Sequence, residues 1–200
     1  MNLLRSSALV AAFVLSVFSQ SVAAADPALP DGTYLISYKF PRSPGSWSET
    51  ELWLTGGTQK TFKETGLVNV TFEDRSYRTS WEKRELQEWK VQNKYNNKVY
   101  IRNRQSGLYL GSGHKFNCGA TIPDKKKAQC ATSIATIGEN IKVIPHSYKK
   151  DLYQLQYDSI AGGLWSPNLA PAGPIKAPED VAVWADKWDA RDVYFQIKKI

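Results

Sequence analysis

The sequence predicts an all-β fold. Short runs in which apolar and polar residues alternate with a period of two occupy most of the chain, as expected for half-buried strands. Seven Trp, ten Tyr and seven Phe accompany a single Met, and flat aromatic rings suit pleated surfaces. Only residues 80–89 have a locally helical pattern, and they lead into a strand. We therefore expect eleven or twelve strands.

Each predicted strand is an alternating run bounded by turn residues. The turns are rich in glycine, proline, asparagine and serine, which favour the dihedral angles of tight turns; they are residues 41–45, Gly56-Gly57, Asn96-Asn97, residues 105–107 and Gly162-Gly163. The runs, in chain order, are residues 32–40, 49–55, 67–73, 87–94, 98–103, 108–113, 140–147, 151–158, 163–167, 180–186 and 193–200.

A looser pattern recurs along the chain: a strand, a polar turn and a second strand that carries a tyrosine. Tyr34, Tyr100 and Tyr153 mark three units whose lengths shorten toward the C-terminus. Three such units cannot bury their apolar faces separately, but around a pseudo-threefold axis they close a short barrel capped by hairpins. The pattern predicts a β-trefoil of three pseudo-repeats, each with about four strands. A β-sandwich is the alternative all-β architecture, although it requires no threefold spacing. We expect six aromatic side chains to fill the barrel: Tyr34, Trp89, Tyr100, Tyr153, Trp165 and Phe195.

The first 25 residues have the features of a secretory signal peptide. Arg5 gives a short positive region, residues 8–18 are apolar but short for a membrane span, and residues 23–25 are small, as at a cleavage site. We expect the mature chain, residues 26–200, to be a single domain that is secreted, extracellular and monomeric. No later stretch is apolar enough to predict a membrane span.

Two covalent features are predicted for the mature chain. Cys118 and Cys130 are its two cysteines, and in an oxidising compartment they should form a disulfide. Asn69-Val70-Thr71 is a glycosylation sequon within an alternating run, so a glycan on Asn69 would mark that strand face as exposed.

Charge and motifs exclude several function classes. The net charge of +7 favours anionic partners such as acidic glycans, but basic and acidic residues are interspersed, so we expect no binding to nucleic acid. Two thiols with two histidines do not make a persuasive metal site, and we expect no metal or other cofactor. Catalytic and phosphate-binding motifs are absent from the sequence, and carboxylate pairs such as Glu49 and Glu51 stand in polar runs, where solvated side chains are the simpler interpretation. We expect a protein that is not an enzyme.

Two families of trefoil proteins resemble this sequence over nearly the whole mature chain. Gln87-Glu88-Trp89, followed by residues 99–111 with a Ser-Gly turn, resembles the unit junction of ricin-B-type lectins. The opening at residues 29–36, the interrupted first unit and Trp165 in the third unit resemble the fungal trefoil protease inhibitors, the mycocypins and the cospin-like inhibitors. The lectin resemblance implies an acidic residue after the Ser-Gly turn to bind sugar hydroxyls, whereas this chain has Gly111 there.

These resemblances imply two candidate functions. The first is a peptidase inhibitor that acts on an extracellular serine or cysteine protease through an exposed rigid loop, since a preformed loop loses little entropy on binding. The candidate inhibitory residues are Arg42, Lys125, Lys126 and Lys127. The alternative is a carbohydrate-binding, ricin-B-like lectin. The candidate residues for sugar stacking are three tryptophans in the polar first unit, Trp47, Trp53 and Trp81.

Overall fold

The computed structural model describes residues 28–41, 48–65, 68–76, 80–111, 117–121, 127–130, 132–134, 138–158, 162–165, 179–180, 182–183 and 193–200. The predicted signal peptide lies outside these residues. The described strands are β1 (Gly32–Pro41), β2 (Glu49–Thr55), β3 (Val68–Asn69), β4 (Thr71–Glu73), β5 (Glu88–Asn93), β6 (Lys98–Asn103), β7 (Tyr109–Gly111), β8 (Asn117–Thr121), β9 (Lys127–Cys130), β10 (Thr132–Ile134), β11 (Ile141–Pro145), β12 (Leu152–Tyr157), β13 (Gly162–Trp165), β14 (Glu179–Asp180), β15 (Ala182–Val183) and β16 (Phe195–Lys199). The described helices are α1 (Gln59–Thr65) and α2 (Trp81–Glu85).

Six strands close a barrel. β1 pairs with β5, β5 with β6, β6 with β11, β11 with β12, β12 with β16, and β16 returns to β1, each time in antiparallel orientation. The ring leaves no free edge among these six strands, which removes the unpaired backbone groups that an open sheet exposes.

Three further sets of strands repeat one pairing pattern around the barrel. In the first, β2 pairs with β4 and β4 with β14; in the second, β7 with β10 and β10 with β3; in the third, β13 with β15 and β15 with β9. In each set the last strand comes from a different unit from the first two. The closed six-stranded barrel and this threefold pattern confirm the predicted β-trefoil.

The core follows from the period of two. In β5 and β6, Trp89, Val91, Val99 and Ile101 are buried while their neighbours face outward. Similar alternation places Ile141 and Val143 of β11, and Phe195 and Ile197 of β16, in the same apolar cluster. Burying side chains of this size contributes about 1.5–3 kcal/mol each.

The motif at the junction of the first and second units is structural. Trp89 is fully buried, and its indole Nε1 donates a hydrogen bond to the Leu54 carbonyl at 2.8 Å. Gln87 is also buried, and its Nε2 donates to the Thr55 hydroxyl at 3.2 Å and to the Asp74 carbonyl at 3.1 Å. These bonds tie β5 to the end of β2 and to the segment after β4.

The Ser-Gly turn after β6 is organised by Asn103. Its Nδ2 donates to the Leu86 carbonyl at 2.6 Å, and its Oδ1 accepts from the Ser106 backbone N–H at 3.0 Å. Gly107 then adopts φ +70°, a left-handed conformation that favours glycine. The features that resemble the lectin unit junction therefore build the fold here.

Some element predictions need correction. The strand number is higher than eleven or twelve because, apart from β2, the sets outside the barrel use strands of two to four residues, too short to show alternation. Helix α2 confirms the helical pattern within residues 80–89, and Ser80 caps it by accepting the Lys83 N–H, whereas α1 was not predicted. Within the described residues, no helix is long and apolar enough to cross a membrane.

The six aromatic side chains that were predicted to fill the barrel have different environments. Tyr34, Trp89 and Phe195 are buried, as predicted, and Tyr153 packs partly buried against the core. Tyr100 was wrongly assigned to the barrel interior: Val99 and Ile101 face the core, so Tyr100 points outward and its ring packs edge-on against Tyr109 at 6.0 Å. The side chain of Trp165 lies outside what the structure describes.

Candidate functional site

The predicted inhibitory residues lie mostly outside the described residues. Arg42, Lys125 and Lys126 are among those not described, and Lys127 begins β9. Strands β8 and β9 are paired, with Thr121 opposite Lys127, the last lysine of the run. Residues 122–126 therefore connect two adjacent antiparallel strands.

The same strand pair carries the two cysteines. Cys118 lies on β8 and Cys130 on β9, and the pairing shifts register between Asn117 and Thr121. The cysteine side chains are outside the described set, so the bridge stays a prediction.

Asn69 lies on the two-residue strand β3, opposite Thr132 of β10, and its side chain is exposed. Its neighbour Val70 is fully buried. The sequon asparagine therefore points away from the core, as a glycan requires, and its glycosylation stays a prediction.

The three candidate tryptophans have different environments. Trp47 lies outside the described residues. Trp81, the first residue of α2, is 65% exposed. Trp53 is half-buried on β2, where Leu52 and Leu54 face the core and Trp53 occupies the opposite, outer face.

Trp53 lies at the centre of a row of side chains on the outer side of the sheet, in which Ser37 is buried and Trp53 and Glu73 are half-buried. Ser37 of β1 is directly opposite it on one side, and Glu73 of β4 is directly opposite on the other. Directly opposed residues in antiparallel strands have Cβ atoms about 4.5–5.5 Å apart. Ser37, Glu51, Trp53, Thr71 and Glu73 thus form one surface, which we call the Trp53 face.

The two carboxylates of the Trp53 face are held by hydroxyl groups. The Ser37 hydroxyl donates to Glu51 Oε1 at 2.7 Å, and the Thr71 hydroxyl donates to Glu73 Oε1 at 2.7 Å. Lys83 of α2 forms an ion pair with Glu73 Oε2, which places the helix at the border of the face. Each carboxylate is therefore oriented before any ligand arrives.

Two other outward-facing aromatic side chains are engaged by cations of the chain itself. The Lys94 ammonium lies 4.4 Å from the centre of the Tyr100 ring, and the Arg102 guanidinium lies 5.5 Å from that of Tyr109. Such cation–π contacts occupy the ring face that a ligand would use. Among the described residues, no comparable contact covers Trp53.

The described residues contain no group of three or more His, Cys, Asp or Glu side chains that could hold a metal ion. The Trp53 face combines a flat apolar ring, two carboxylate acceptors and two hydroxyl groups.

Sequence reasoning identified Trp53 but not its partners. Glu51 was interpreted as a solvated carboxylate, and Glu73 was not singled out. A signal was present, because Glu51 and Trp53 have the same parity in the alternating run of β2 and so share a face. The partnership with Glu73 depends on the register between β2 and β4, which lies in the long insertion of the first unit at residues 55–85, and the sequence does not show this register.

Comparisons with solved structures place this chain among β-trefoil proteins. The agglutinin of Rhizoctonia solani matches with a TM-score of 0.53 and 12% identity, covering 86% of this chain and 98% of that one. ThreeFoil, a designed threefold-symmetric protein, matches with a TM-score of 0.51 and 12% identity over 85% of this chain and 100% of that one. The ricin B-like lectin of Macrolepiota procera, solved with lactose, matches with a TM-score of 0.50 and 13% identity over 86% of this chain and 99% of that one.

No protein-family model matches the chain, and no curated protein matches it. The structural likenesses have 12–13% identity. They show the fold and assign no family, so the resemblance to fungal protease inhibitors stays a prediction.

Proposed function

We propose that this protein is a β-trefoil that binds carbohydrate through the Trp53 face. The observation that carries the proposal is the row Ser37–Trp53–Glu73, in which an outward-facing indole lies beside oriented carboxylates. The C–H groups of a pyranose ring pack on an aromatic face, while its hydroxyl groups donate to carboxylates. Charge-assisted hydrogen bonds of this kind are about twice as strong as neutral ones.

The placement of these groups on strands favours binding. Ser37, Trp53 and Glu73 belong to neighbouring strands of one sheet, whose inner side is fixed by buried Ile36, Leu54 and Phe72. A site on packed strands loses little conformational entropy when a ligand binds. Two structural neighbours are named as an agglutinin and a ricin B-like lectin, which is consistent with the proposal, although one fold hosts many functions.

The proposal also takes the protein to be secreted after loss of residues 1–25, to be monomeric, and to act by binding rather than catalysis. The lactose-bound neighbour suggests galactosides as the first ligands to test.

A glycan array followed by calorimetric titration of the best ligand tests this function. Trp53→Ala should weaken binding by about 1–2 kcal/mol, or roughly five- to thirtyfold, and Trp53→Phe should retain part of the affinity. Tyr95→Ala is the control, because Tyr95 is 72% exposed but belongs to the turn between β5 and β6. Absence of glycan binding, or equal affinity of Trp53→Ala and the parent, would refute the proposal.

Peptidase inhibition is the second candidate, and the paired β8 and β9 strands favour it. They hold the two ends of residues 122–126, and a loop fixed at both ends is what a protease inhibitor requires. Stoichiometric titration of trypsin and of a papain-like protease tests this function. The triple variant Lys125→Ala, Lys126→Ala, Lys127→Ala should lose trypsin inhibition if this loop is reactive, and Arg42→Ala should do so if the loop after β1 is.

A further inference from the structure

A groove lies next to the Trp53 face, between the β1–β2 hairpin and the turn from β11 to β12. Its volume is about 500 Å³. The lining residues are Ser37, Tyr38, Lys39, Glu49, Lys149, Lys150, Leu152, Tyr194 and Gln196. We call it the lysine groove.

The charge of the lysine groove is positive. Of the lining residues that the structure describes, three are lysines and one, Glu49, is a carboxylate, which lies 4.0 Å from the Lys39 ammonium in an exposed ion pair. Among the described residues, Lys149 and Lys150 have no carboxylate partner. Exposed cations without a partner attract anions at little desolvation cost.

The turn that carries Lys149 and Lys150 is held in place. The Nδ1 atom of His146 accepts the backbone N–H groups of Tyr148 at 3.0 Å and Lys149 at 3.2 Å. The Asp151 carbonyl accepts the Ile197 N–H at 2.9 Å, which attaches the turn to β16. The His146 ring also lies 4.5 Å from the ring of Tyr194, the residue that precedes β16. The two ammonium groups therefore extend from a fixed backbone.

The groove also contains a neutral phenol, that of Tyr38. Burial, with a smaller contribution from the Glu49 carboxylate, raises the pKa of the Tyr38 phenol above its ordinary value. Tyr38 accordingly keeps its proton at neutral pH and adds no negative charge to the groove.

The groove and the Trp53 face are continuous. Leu152 of β12, Gln196 of β16, Ser37 of β1, Trp53 of β2 and Glu73 of β4 are successive cross-strand partners. The first three line the groove, and Ser37 belongs to both surfaces. At about 4.8 Å per strand, the row extends about 19 Å, longer than one sugar ring.

We infer that the ligand is a saccharide chain bearing carboxylate or sulfate groups, with one ring on Trp53 and an anionic substituent of a neighbouring ring in the lysine groove. This inference rests on the proposed carbohydrate function and specifies its ligand class. The rival basic pocket beside residues 102–107 is a weaker candidate. Its Arg102 Nε donates to the Gly107 carbonyl and its Arg104 pairs with Glu88 at 2.6 Å, so both guanidinium groups are engaged.

The test compares anionic saccharides with neutral counterparts that have the same sugar backbone. Calorimetry at low and at physiological ionic strength would measure binding of oligogalacturonate and of its methyl-esterified form, and of dextran sulfate and dextran. The double variant Lys149→Gln, Lys150→Gln should weaken binding of the charged members about tenfold at low salt and leave the neutral members unchanged. Lys60→Gln with Lys142→Gln is the matched control, since it removes the same charge from exposed positions on α1 and β11.

The outcomes separate this inference from the proposed function. Equal affinity of the parent for charged and neutral members, or equal loss in the control double variant, would overturn the lysine groove while the Trp53 face stands. Charged saccharides that bind Trp53→Ala as tightly as the parent would overturn the proposed function and, with it, the inferred placement of the sugar. Binding to vesicles of anionic phospholipid that depends on Lys149 and Lys150, without binding to any saccharide, would overturn both.

Discussion

Replacing Asn103 by alanine tests the interpretation of the Ser-Gly turn as a structural feature. Asn103 is buried, and two of its hydrogen bonds are no longer than 3.0 Å, to the Leu86 carbonyl and from the Ser106 N–H. Each such bond contributes about 1 kcal/mol net. The Leu86 carbonyl would keep its bond from the Gly56 N–H at 2.9 Å, but the Ser106 N–H would lose its partner, which costs about 1 kcal/mol or more.

The expected total for Asn103→Ala is about 3 kcal/mol of unfolding free energy, measured by urea denaturation monitored through tryptophan fluorescence. In thermal unfolding this corresponds to a decrease in Tm of about 6–12 °C. Gln105→Ala is the control, since Gln105 is exposed in the same turn and should change stability by less than about 0.5 kcal/mol. A loss under about 1 kcal/mol for Asn103→Ala, or similar losses for both variants, would refute the reasoning.

Three further changes have defined outcomes. Trp89→Phe removes the donor to the Leu54 carbonyl and reduces core volume, so chemical denaturation should show a loss of about 2–4 kcal/mol. Gly107→Ala places a Cβ 2.9 Å from Arg102 Nη2 at φ +70°, and thermal unfolding should show a loss of about 1–2 kcal/mol, whereas an unchanged Tm would argue against the left-handed turn. Burial, and secondarily the Glu139 carboxylate, raises the pKa of Tyr157 well above its ordinary value of 10.0. Above that pH the unfolded chain loses this proton while the folded chain keeps it, so stability should fall by up to about 1.4 kcal/mol per pH unit, and Tyr157→Phe should reduce this slope.

The sequence was sufficient to predict the barrel because the signal is repeated. β1, β5, β6, β11, β12 and β16 have five to ten residues each, long enough for alternation to appear. Tyr34 and Trp89, both singled out in the sequence, are direct cross-strand partners and both are buried. The pattern of a strand, a polar turn and a strand with a tyrosine is weak in each unit, but its three occurrences together predicted a threefold architecture.

The shortest strands outside the barrel could not be predicted in the same way. β3, β14 and β15 have two residues each, and two residues cannot show a period of two. Their pairings also join different units, as when β3 of the first unit pairs with β10 of the second. Such contacts depend on the closure of the whole fold rather than on local propensity. Tyr100 was mispredicted for the opposite reason. Its place in the repeated pattern suggested burial, but it alternates with the buried Val99 and Ile101 in β6 and therefore faces outward.

The Trp53 face was predictable only in part for the same reason. The polar residues around Trp53 indicated that it could be exposed. Glu73, however, is separated from Trp53 in the sequence by the part of the insertion that contains α1, so its place beside Trp53 could not be predicted. A shift of one residue in the register between β2 and β4 would turn Glu73 toward the core and Phe72 toward solvent. The register is set by Leu54 and Phe72, which are directly opposed and fully buried. The apolar residues that stabilise this part of the fold therefore also determine which polar groups surround Trp53.

This dependence gives the insertion of residues 55–85 a role. Its β4 supplies Thr71 and Glu73 to the outer sheet face, and its α2 supplies Lys83, the ion-pair partner of Glu73. Gln87 attaches the segment between β4 and α2 to the end of β2, because its Nε2 donates to both the Asp74 carbonyl and the Thr55 hydroxyl. Because the Gln87 bonds hold the segment that follows Glu73 and leads to Lys83, a Gln87→Ala variant that folds should lose ligand affinity together with stability. Asn103→Ala should lose stability alone.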